Sequence, residues 1–191
     1  MDPEKFERVE IASASALRDW LLERHGQEDS VWLVTFKKHL PAKYVSRDEV
    51  LDELMCFGWI DGRRMKLDAD RTMQLIGPRR QQAWAESYKA RVARLAEAGR
   101  MHASGLRAVE AGKASGLWNA MRSVDALETP EDLAQELGAR KGAAAQWDTY
   151  PPSYRRNVLR WIEGAKRPET RKKRVDTVAS AAETGDRVPQ F

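Results

Sequence analysis

The chain has 191 residues, of which 42% are hydrophobic and 32% charged, a composition typical of globular proteins and unlike disordered or fibrous ones. Its single cysteine excludes an internal disulfide framework and an all-cysteine metal cluster. The N-terminus shows no apolar signal segment, and no run of about 18 apolar residues occurs, so we expect a cytoplasmic protein without a membrane span.

The first strands and helix are predicted from the spacing of apolar residues. Residues 6–11 alternate between apolar and charged side chains, which predicts a half-buried strand. Leu17 and Leu21 recur at helical spacing, and Gly26 marks the end of that helix. Residues 31–36 are rich in β-branched and aromatic side chains, which indicates a central strand.

A second helix is predicted at Ser46, which forms a capping box with Glu49, and it ends at Gly58. Two strands of a hairpin follow, around a turn at residues 68–70, and stop at Gly77-Pro78. The first part of the chain therefore favours an α+β fold with a small, mostly antiparallel sheet.

After Pro78 the hydrophobic period becomes helical. The predicted helices are a long one that contains Trp84 and ends near Gly99, a shorter one around Leu106, one with Thr129 as N-cap and Pro130 as first residue, one through Val158 and Ile162, and a basic one from Pro168. Residues 142–152 are predicted to be a loop or a loosely helical connector. We therefore expect a sheet region over residues 1–78 and a helical region over residues 79–191, packed as one compact unit.

Few residues indicate chemistry. Cys56 precedes a helix C-terminus, where the dipole disfavours a thiolate, so a packed thiol is favoured over a nucleophile. Asp61 either orients a ligand or forms a turn or a salt bridge with Arg63, Arg64 or Arg79.

The three histidines are far apart in sequence and lack metal-ligand spacing, and no nucleotide-binding or serine-hydrolase motif occurs, so no cofactor or metal is expected. Seven tryptophans spread along the chain are mostly assigned to the core.

The positive charge is concentrated near the C-terminus. Residues 152–174 hold nine basic and two acidic residues, whereas the whole chain has a net charge of only +4. Such a stripe follows phosphates of a nucleic acid, binds an anionic membrane surface, or is the solvated face of surface helices. The residues considered for nucleic-acid binding are Arg155, Arg156, Lys166, Arg167, Arg171, Lys172, Lys173 and Arg174.

Several short segments resemble the YdeI/OmpD-associated family, also called OmdA-like or bacteriocin-protection proteins. They are residues 32–38 (WLVTFKK), 54–62 (LMCFGWIDG), 77–79 (GPR), 97–101 (EAGRM) with 105–106 (GL), 116–118 (GLW) and 165–174 (AKRPETRKKR). The resemblance implies a bacterial stress or antimicrobial-protection role, and it brings no established reaction or agreed catalytic residues.

The favoured function is non-catalytic binding of a small molecule, an antimicrobial compound or a partner, in a cleft between the sheet and the long helix. The candidate ligand-binding residues are Lys38, Trp59, Asp61, Arg79, Trp84 and Arg100, which combine aromatic faces with charge at the ends of elements. Replacing both Trp59 and Asp61 by alanine is expected to abolish binding and leave a folded protein. The alternatives are nucleic-acid binding through the basic segment and an enzyme that uses Cys56 or Asp61. The oligomeric state is left open.

Overall fold

A computed structural model describes residues 5–189. Contacts divide the chain into two compact units, Met1–Asn119 and Ala120–Phe191. The first unit contains β1 (Arg8–Glu10), α1 (Ala14–Arg24), β2 (Val31–Phe36), α2 (Arg47–Phe57), β3 (Trp59–Lys66), β4 (Arg71–Pro78), α3 (Glu86–Glu97) and α4 (Ala103–Ala114). The second contains α5 (Arg122–Asp125), α6 (Glu131–Gly138), α7 (Ala143–Thr149), α8 (Pro152–Glu163) and α9 (Pro168–Thr184). Within residues 5–189, no helix is both long and apolar enough to cross a membrane.

The α+β class and the small, mostly antiparallel sheet are confirmed. The strand order is β1-β2-β4-β3; β1 is parallel to β2, while β4 is antiparallel to both β2 and β3. The predicted hairpin is β3 and β4, and at its tip Asp68 accepts hydrogen bonds from the amides of Asp70 and Arg71. The predicted central strand is β2, which lies between β1 and β4.

One face of the sheet packs against helices. Since side chains alternate across a strand, Leu33 and Ile76 point to the same face, and they share a core with Leu17, Leu54 and Leu95 of the helices. Further along this face the strand residues become polar. The register places together Thr35 on β2, Thr72 and Gln74 on β4, and Asp61 and Arg64 on β3.

Helix α2 borders this polar end of the sheet, and its limits are set by local chemistry. The predicted capping box is confirmed, because Ser46 Oγ accepts a hydrogen bond from the Glu49 amide at 3.2 Å and Glu49 Oε2 accepts one from the Ser46 amide at 2.8 Å. Gly58 ends the helix with a φ of 75°, a conformation that favours glycine. Arg47, the first residue of α2, is therefore held at a defined position.

Helix α4 packs closely on the end of α2. A Cβ on Gly105 would overlap the carbonyl oxygen of Cys56, so only glycine allows this approach. The amide of His102 donates to Cys56 O at 2.9 Å, and Ser104 Oγ donates to Phe57 O at 3.0 Å. The start of α4 thus satisfies carbonyls that the end of α2 leaves free.

The long helix begins later than predicted, because Trp84 precedes it. The N-cap of α3 is Ala85 in an extended conformation, and the Trp84 amide donates to Leu117 O at 3.0 Å. Trp84 is nevertheless 1% exposed. Trp84 and Tyr88 contact the same core, although Trp84 precedes the helix. Their four-residue spacing therefore matches the helical pattern of buried residues.

The second unit has its own core. Leu133, Trp147, Val158 and Ile162 are buried there. Helix α6 has Pro130 as N-cap, one residue later than predicted, since Thr129 instead accepts a hydrogen bond from Trp147 Nε1 at 3.1 Å. The segment predicted to be a loop or a loose connector contains a helix, α7, whose three alanines favour that conformation.

The hydrophobic period changes at residue 78 because the last strand of the sheet, β4, ends there. Helices α3 and α4 lie in the first unit, because Leu95 and Val109 belong to the same core as Leu17. The contacts accordingly divide the chain after Asn119, rather than at residue 78.

Candidate functional site

Asp61 is the buried acceptor at the polar end of the sheet. Its side chain is 7% exposed, and it accepts hydrogen bonds from Tyr88 Oη at 2.8 Å and from Gln74 Nε2 at 3.0 Å. Arg47 Nη2 lies 3.8 Å from Asp61 Oδ2, the oxygen that also accepts from Gln74. The ion pairs considered with Arg63, Arg64 and Arg79 are absent among residues 5–189. The residues that face Asp61 come from α2, α3 and β4 because β3 points this carboxylate toward the helices.

Tyr88 is the strongest neutral donor to this carboxylate. Burial, and next the hydrogen bond to Asp61, raise the pKa of Tyr88 to about 12. The phenol therefore stays protonated at neutral pH and donates a hydrogen bond to Asp61 Oδ1.

A basic pocket opens beside Asp61. It has a volume of about 210 Å³, and its lining residues are Thr35, Phe36, Lys37, Lys38, Tyr44, Val45, Arg47, Arg64 and Thr72. Four of them are cationic, and none is acidic. We call this feature the basic pocket. A pocket with this lining attracts anions.

The cations of the basic pocket differ in how far they are already engaged. Lys37 Nζ donates to the carbonyl oxygens of Asp68 and Ala69, each at 2.7 Å. Arg64 Nη2 donates to Gln74 Oε1 at 3.3 Å, and Gln74 in turn donates to Asp61. Asp61 thus holds Arg64 through Gln74, whereas Arg47 only approaches it at 3.8 Å.

Two hydroxyl groups form a polar part of the pocket wall. Thr35 and Thr72 are direct partners across β2 and β4, and their Oγ1 atoms lie 3.3 Å apart. Thr35 is only 4% exposed. Hydroxyls at this position can donate to or accept from a ligand, which a wall of valines would not allow.

Arg79 lies on the other side of Tyr88. Its guanidinium carbon is 3.9 Å from the ring centroid of Trp84 and 5.2 Å from that of Tyr88, a cation–π arrangement. Nη1 donates to the carbonyl oxygens of Gln82 and Ala83. Burial lowers the pKa of Arg79, and the nearby Tyr88 and Asp61 oppose this effect. The structure therefore brings Asp61, Arg79 and Trp84 together through Tyr88.

These residues fall within one of two family matches. Residues 9–108 match the family model described as a domain of unknown function (DUF8412), and residues 126–185 match the one described as bacteriocin-protection, YdeI or OmpD-associated (OmdA). The chain belongs to the DUF8412 family and carries an OmdA domain. The second match confirms the predicted resemblance, while the N-terminal segments that also suggested it lie in the DUF8412 region. No curated protein and no solved structure gives a significant match.

Two of the predicted ligand-binding residues lie elsewhere in the DUF8412 unit. Trp59 is fully buried, packs edge-on against Trp20 and donates from Nε1 to His25 O at 3.1 Å. Arg100 donates to Glu53 Oε1 at 2.5 Å and approaches Asp52 Oδ2 at 3.5 Å. Replacing Trp59 by alanine would cost about 3–5 kcal/mol of stability, so the predicted double substitution would test folding rather than binding.

Lys38 is the predicted residue that borders the basic pocket itself. Five residues in or beside the basic pocket were not predicted to bind a ligand: Thr35, Arg47, Arg64, Thr72 and Tyr88. Polar residues at alternate positions of β4, Thr72 and Gln74, were the available signal, because a strand buried on that face would otherwise carry apolar residues there.

Cys56 and the histidines add little to the site. Cys56 is fully buried, and burial together with nearby Glu53 raises the pKa of its thiol, which weakens it as a nucleophile. The rings of His25 and His102 lie 4.6 Å apart despite their sequence separation. Within residues 5–189 no group of three or more histidine, cysteine or acidic side chains is arranged to hold a metal ion.

The basic residues of the OmdA domain are partly engaged within the domain. Arg155 pairs with Asp148, Arg171 pairs with Asp132 and Glu163, and Arg174 donates to the carbonyl oxygen of Trp161. Six of the eight considered for nucleic-acid binding have no ion pair among the described residues: Arg156, Lys166, Arg167, Lys172, Lys173 and Arg174. Nucleic-acid binding stays a prediction. Because three of the eight residues already have partners within the domain, fewer side chains are available to contact phosphates than the sequence suggested.

Proposed function

We propose that the chain is a non-catalytic protective protein whose DUF8412 unit binds a small anionic molecule in the basic pocket. The family described as bacteriocin-protection supplies the protective role. The observation that carries the binding proposal is a pocket bordered by Lys37, Lys38, Arg47 and Arg64 without an acidic lining residue.

The charge of the site supports an anionic ligand. Lys38, Arg47 and Arg64 have exposed side chains, so keeping them charged costs little, and Gln74 links Arg64 to the buried Asp61. An incoming anion therefore finds one guanidinium, that of Arg64, already oriented, which reduces the entropy lost on binding.

The binding proposal is tested by thermal shift of the full chain with matched aromatic probes. Benzoate and phenyl phosphate should raise the melting temperature, while the cation benzamidine should not, because a ligand stabilises only the state that it binds. Arg64→Gln should remove the shift. Arg63→Gln is the matched control, since Arg63 is the adjacent residue on β3 and does not line the pocket. A shift with benzamidine alone, or equal shifts in both variants, would contradict the proposal.

The protective role is tested in a bacteriocin-sensitive bacterium that produces the chain. We expect the inhibitory concentration of the bacteriocin to rise in cells that produce the wild-type chain or Arg63→Gln. With Arg64→Gln it should stay at the level of the untransformed strain. Mass spectrometry of the compound after incubation with purified protein should find it chemically unchanged. A modified product would instead support the enzyme alternative.

A further inference from the structure

The usable donors of the basic pocket come from three separate elements. Lys38 follows β2, Arg47 begins α2 and Arg64 lies on β3. Arg64 uses one N–H on Gln74, and Arg47 has only the 3.8 Å approach to Asp61. Each guanidinium carries five N–H donors, so most of them are available to a ligand.

The hydroxyl pair provides a further donor. Thr35 and Thr72 share one hydrogen bond, in which either hydroxyl is the donor. Because the pair has two protons, one of them has no acceptor in the described part of the chain and is available to a ligand oxygen. Thr35 is 4% exposed, so this donor belongs to a built wall rather than to a mobile surface.

This arrangement fits a tetrahedral anion better than a planar one. A carboxylate has one charge and two oxygens in one plane, and a single arginine satisfies it with two parallel hydrogen bonds. A phosphoryl group has three oxygens that point in different directions and carries close to two charges at neutral pH. Donors from three elements and several cations match the second geometry.

The pocket volume limits the rest of the ligand. At about 210 Å³ it lies below the range of about 300–1,000 Å³ typical of sites for drug-sized ligands. It therefore accommodates a phosphoryl group with a short organic part.

We propose that the basic pocket recognises the phosphoryl dianion of inorganic phosphate or of a small phosphomonoester. This proposal rests on the anion-binding function proposed above. Arg47 and Arg64 bind the phosphoryl oxygens, Lys38 adds charge, and the Thr35–Thr72 pair donates one hydrogen bond. Asp61 acts as a positioning residue, because it holds Arg64 through Gln74 and lies next to Arg47.

The test is isothermal titration calorimetry of the full chain with phenyl phosphate, phenyl sulfate and benzoate at pH 5 and pH 7.5. The second ionisation of a phosphomonoester has a pKa of about 6, so the affinity for phenyl phosphate should rise about tenfold between these pH values. Phenyl sulfate is a monoanion at both, and its affinity should be at least tenfold weaker at pH 7.5 and independent of pH. Phenyl sulfate also reports any titration of the protein itself.

Matched variants connect the binding to the pocket. Arg64→Gln should weaken phenyl phosphate binding at least tenfold, and Thr72→Val, which removes a hydroxyl and preserves the side-chain shape, about threefold. Arg63→Gln should stay within twofold of the wild type. Inorganic phosphate that binds as tightly as phenyl phosphate identifies the phosphoryl group alone as the ligand, and weaker binding identifies the ester; both results support the proposal.

Two outcomes would overturn the proposal in different ways. Benzoate or phenyl sulfate that binds as tightly as phenyl phosphate would refute phosphoryl recognition and leave anion binding intact. No binding of any of these probes would refute both proposals.

Discussion

At the scale of single residues, Asp61 has a different role from the one that its sequence position suggested. It was a candidate to touch the ligand, but its carboxylate is 7% exposed and already accepts hydrogen bonds from Tyr88 and Gln74. A buried charge with such partners is better suited to orienting neighbours than to binding. The exposed Arg64 is linked to it through Gln74, and the exposed Arg47 lies 3.8 Å away.

The bond between Tyr88 and Asp61 leads to a stability prediction. Tyr88→Phe leaves the buried carboxylate with one donor fewer, and hydrogen bonds to charged groups are worth about 1.5–3 kcal/mol. We expect the free energy of unfolding in urea to fall by about that amount. Tyr44→Phe serves as control, because Tyr44 is 40% exposed and its change should stay within about 0.5 kcal/mol. Equal stability of Tyr88→Phe and the wild type would show that the bond contributes nothing.

At the scale of elements, the site depends on the pairing between β2, β4 and β3. The register sets Thr35 opposite Thr72 and Arg64 opposite Gln74, with an irregularity between Asp61 and Arg64. A slip of one residue would move every one of these side chains to the other face. The basic pocket therefore requires this register and the start of α2 beside it.

The start of α4 is predicted to be sensitive to acid. His102 is its N-cap and accepts a hydrogen bond from the Ser104 amide through Nδ1, which a protonated ring cannot do. Burial, followed by the electrostatic effects of His25, Arg107 and Arg18, lowers the pKa of His102. A lowered pKa means that the unfolded chain binds the proton more readily, so this contribution is present above the unfolded value of about 6.5 and is lost as the pH falls.

The measurement is the free energy of unfolding at pH 7 and pH 5 for the wild type and His102→Ser. Serine also caps a helix but does not titrate in this range, so the variant should lose less stability on acidification than the wild type. His39→Gln is the control and should follow the wild type, since His39 is exposed beside Asp70 and is not a helix cap. Parallel losses in His102→Ser and the wild type would contradict a role for His102.

At the scale of the whole molecule, two cores correspond to two family matches. The first core and the DUF8412 match lie before residue 119, and the second core and the OmdA match lie after it. Proposed anion binding belongs to the first unit, whereas the named protective family is matched by the second. Both regions are therefore relevant to the proposed function.

The separate core of the second unit predicts independent folding. A fragment of residues 120–191 should show a cooperative thermal transition by circular dichroism, since it buries Leu133, Trp147, Val158 and Ile162 without the first unit. Trp147→Ala should abolish this transition or strongly lower its midpoint temperature, because the substitution removes a core side chain worth about 3–5 kcal/mol. A fragment without a cooperative transition would mean that the second core needs the rest of the chain.

Much of the secondary structure was predictable from the sequence. The capping box at Ser46, the stop at Gly58 and the hairpin before Pro78 are local signals, and the structure confirms them. Of the predicted ligand-binding residues, Lys38 borders the basic pocket and Asp61 lies beside it, Arg79 and Trp84 lie on the other side of Tyr88, and Trp59 and Arg100 are engaged in other contacts; their role in binding stays a prediction. A charged or aromatic residue at the end of an element shows the same pattern whether it faces a pocket, a core or an ion pair.

The sequence by itself determined the limits of α2 and the β3–β4 hairpin, because caps and turns act over a few neighbouring residues. It also carried the resemblance that the OmdA match confirms. Only the tertiary structure decided that Thr35, Arg47, Arg64 and Thr72 border one pocket and that Asp61 lies buried beside it. These residues are separated along the chain, and strand register and helix packing, which are non-local, bring them together.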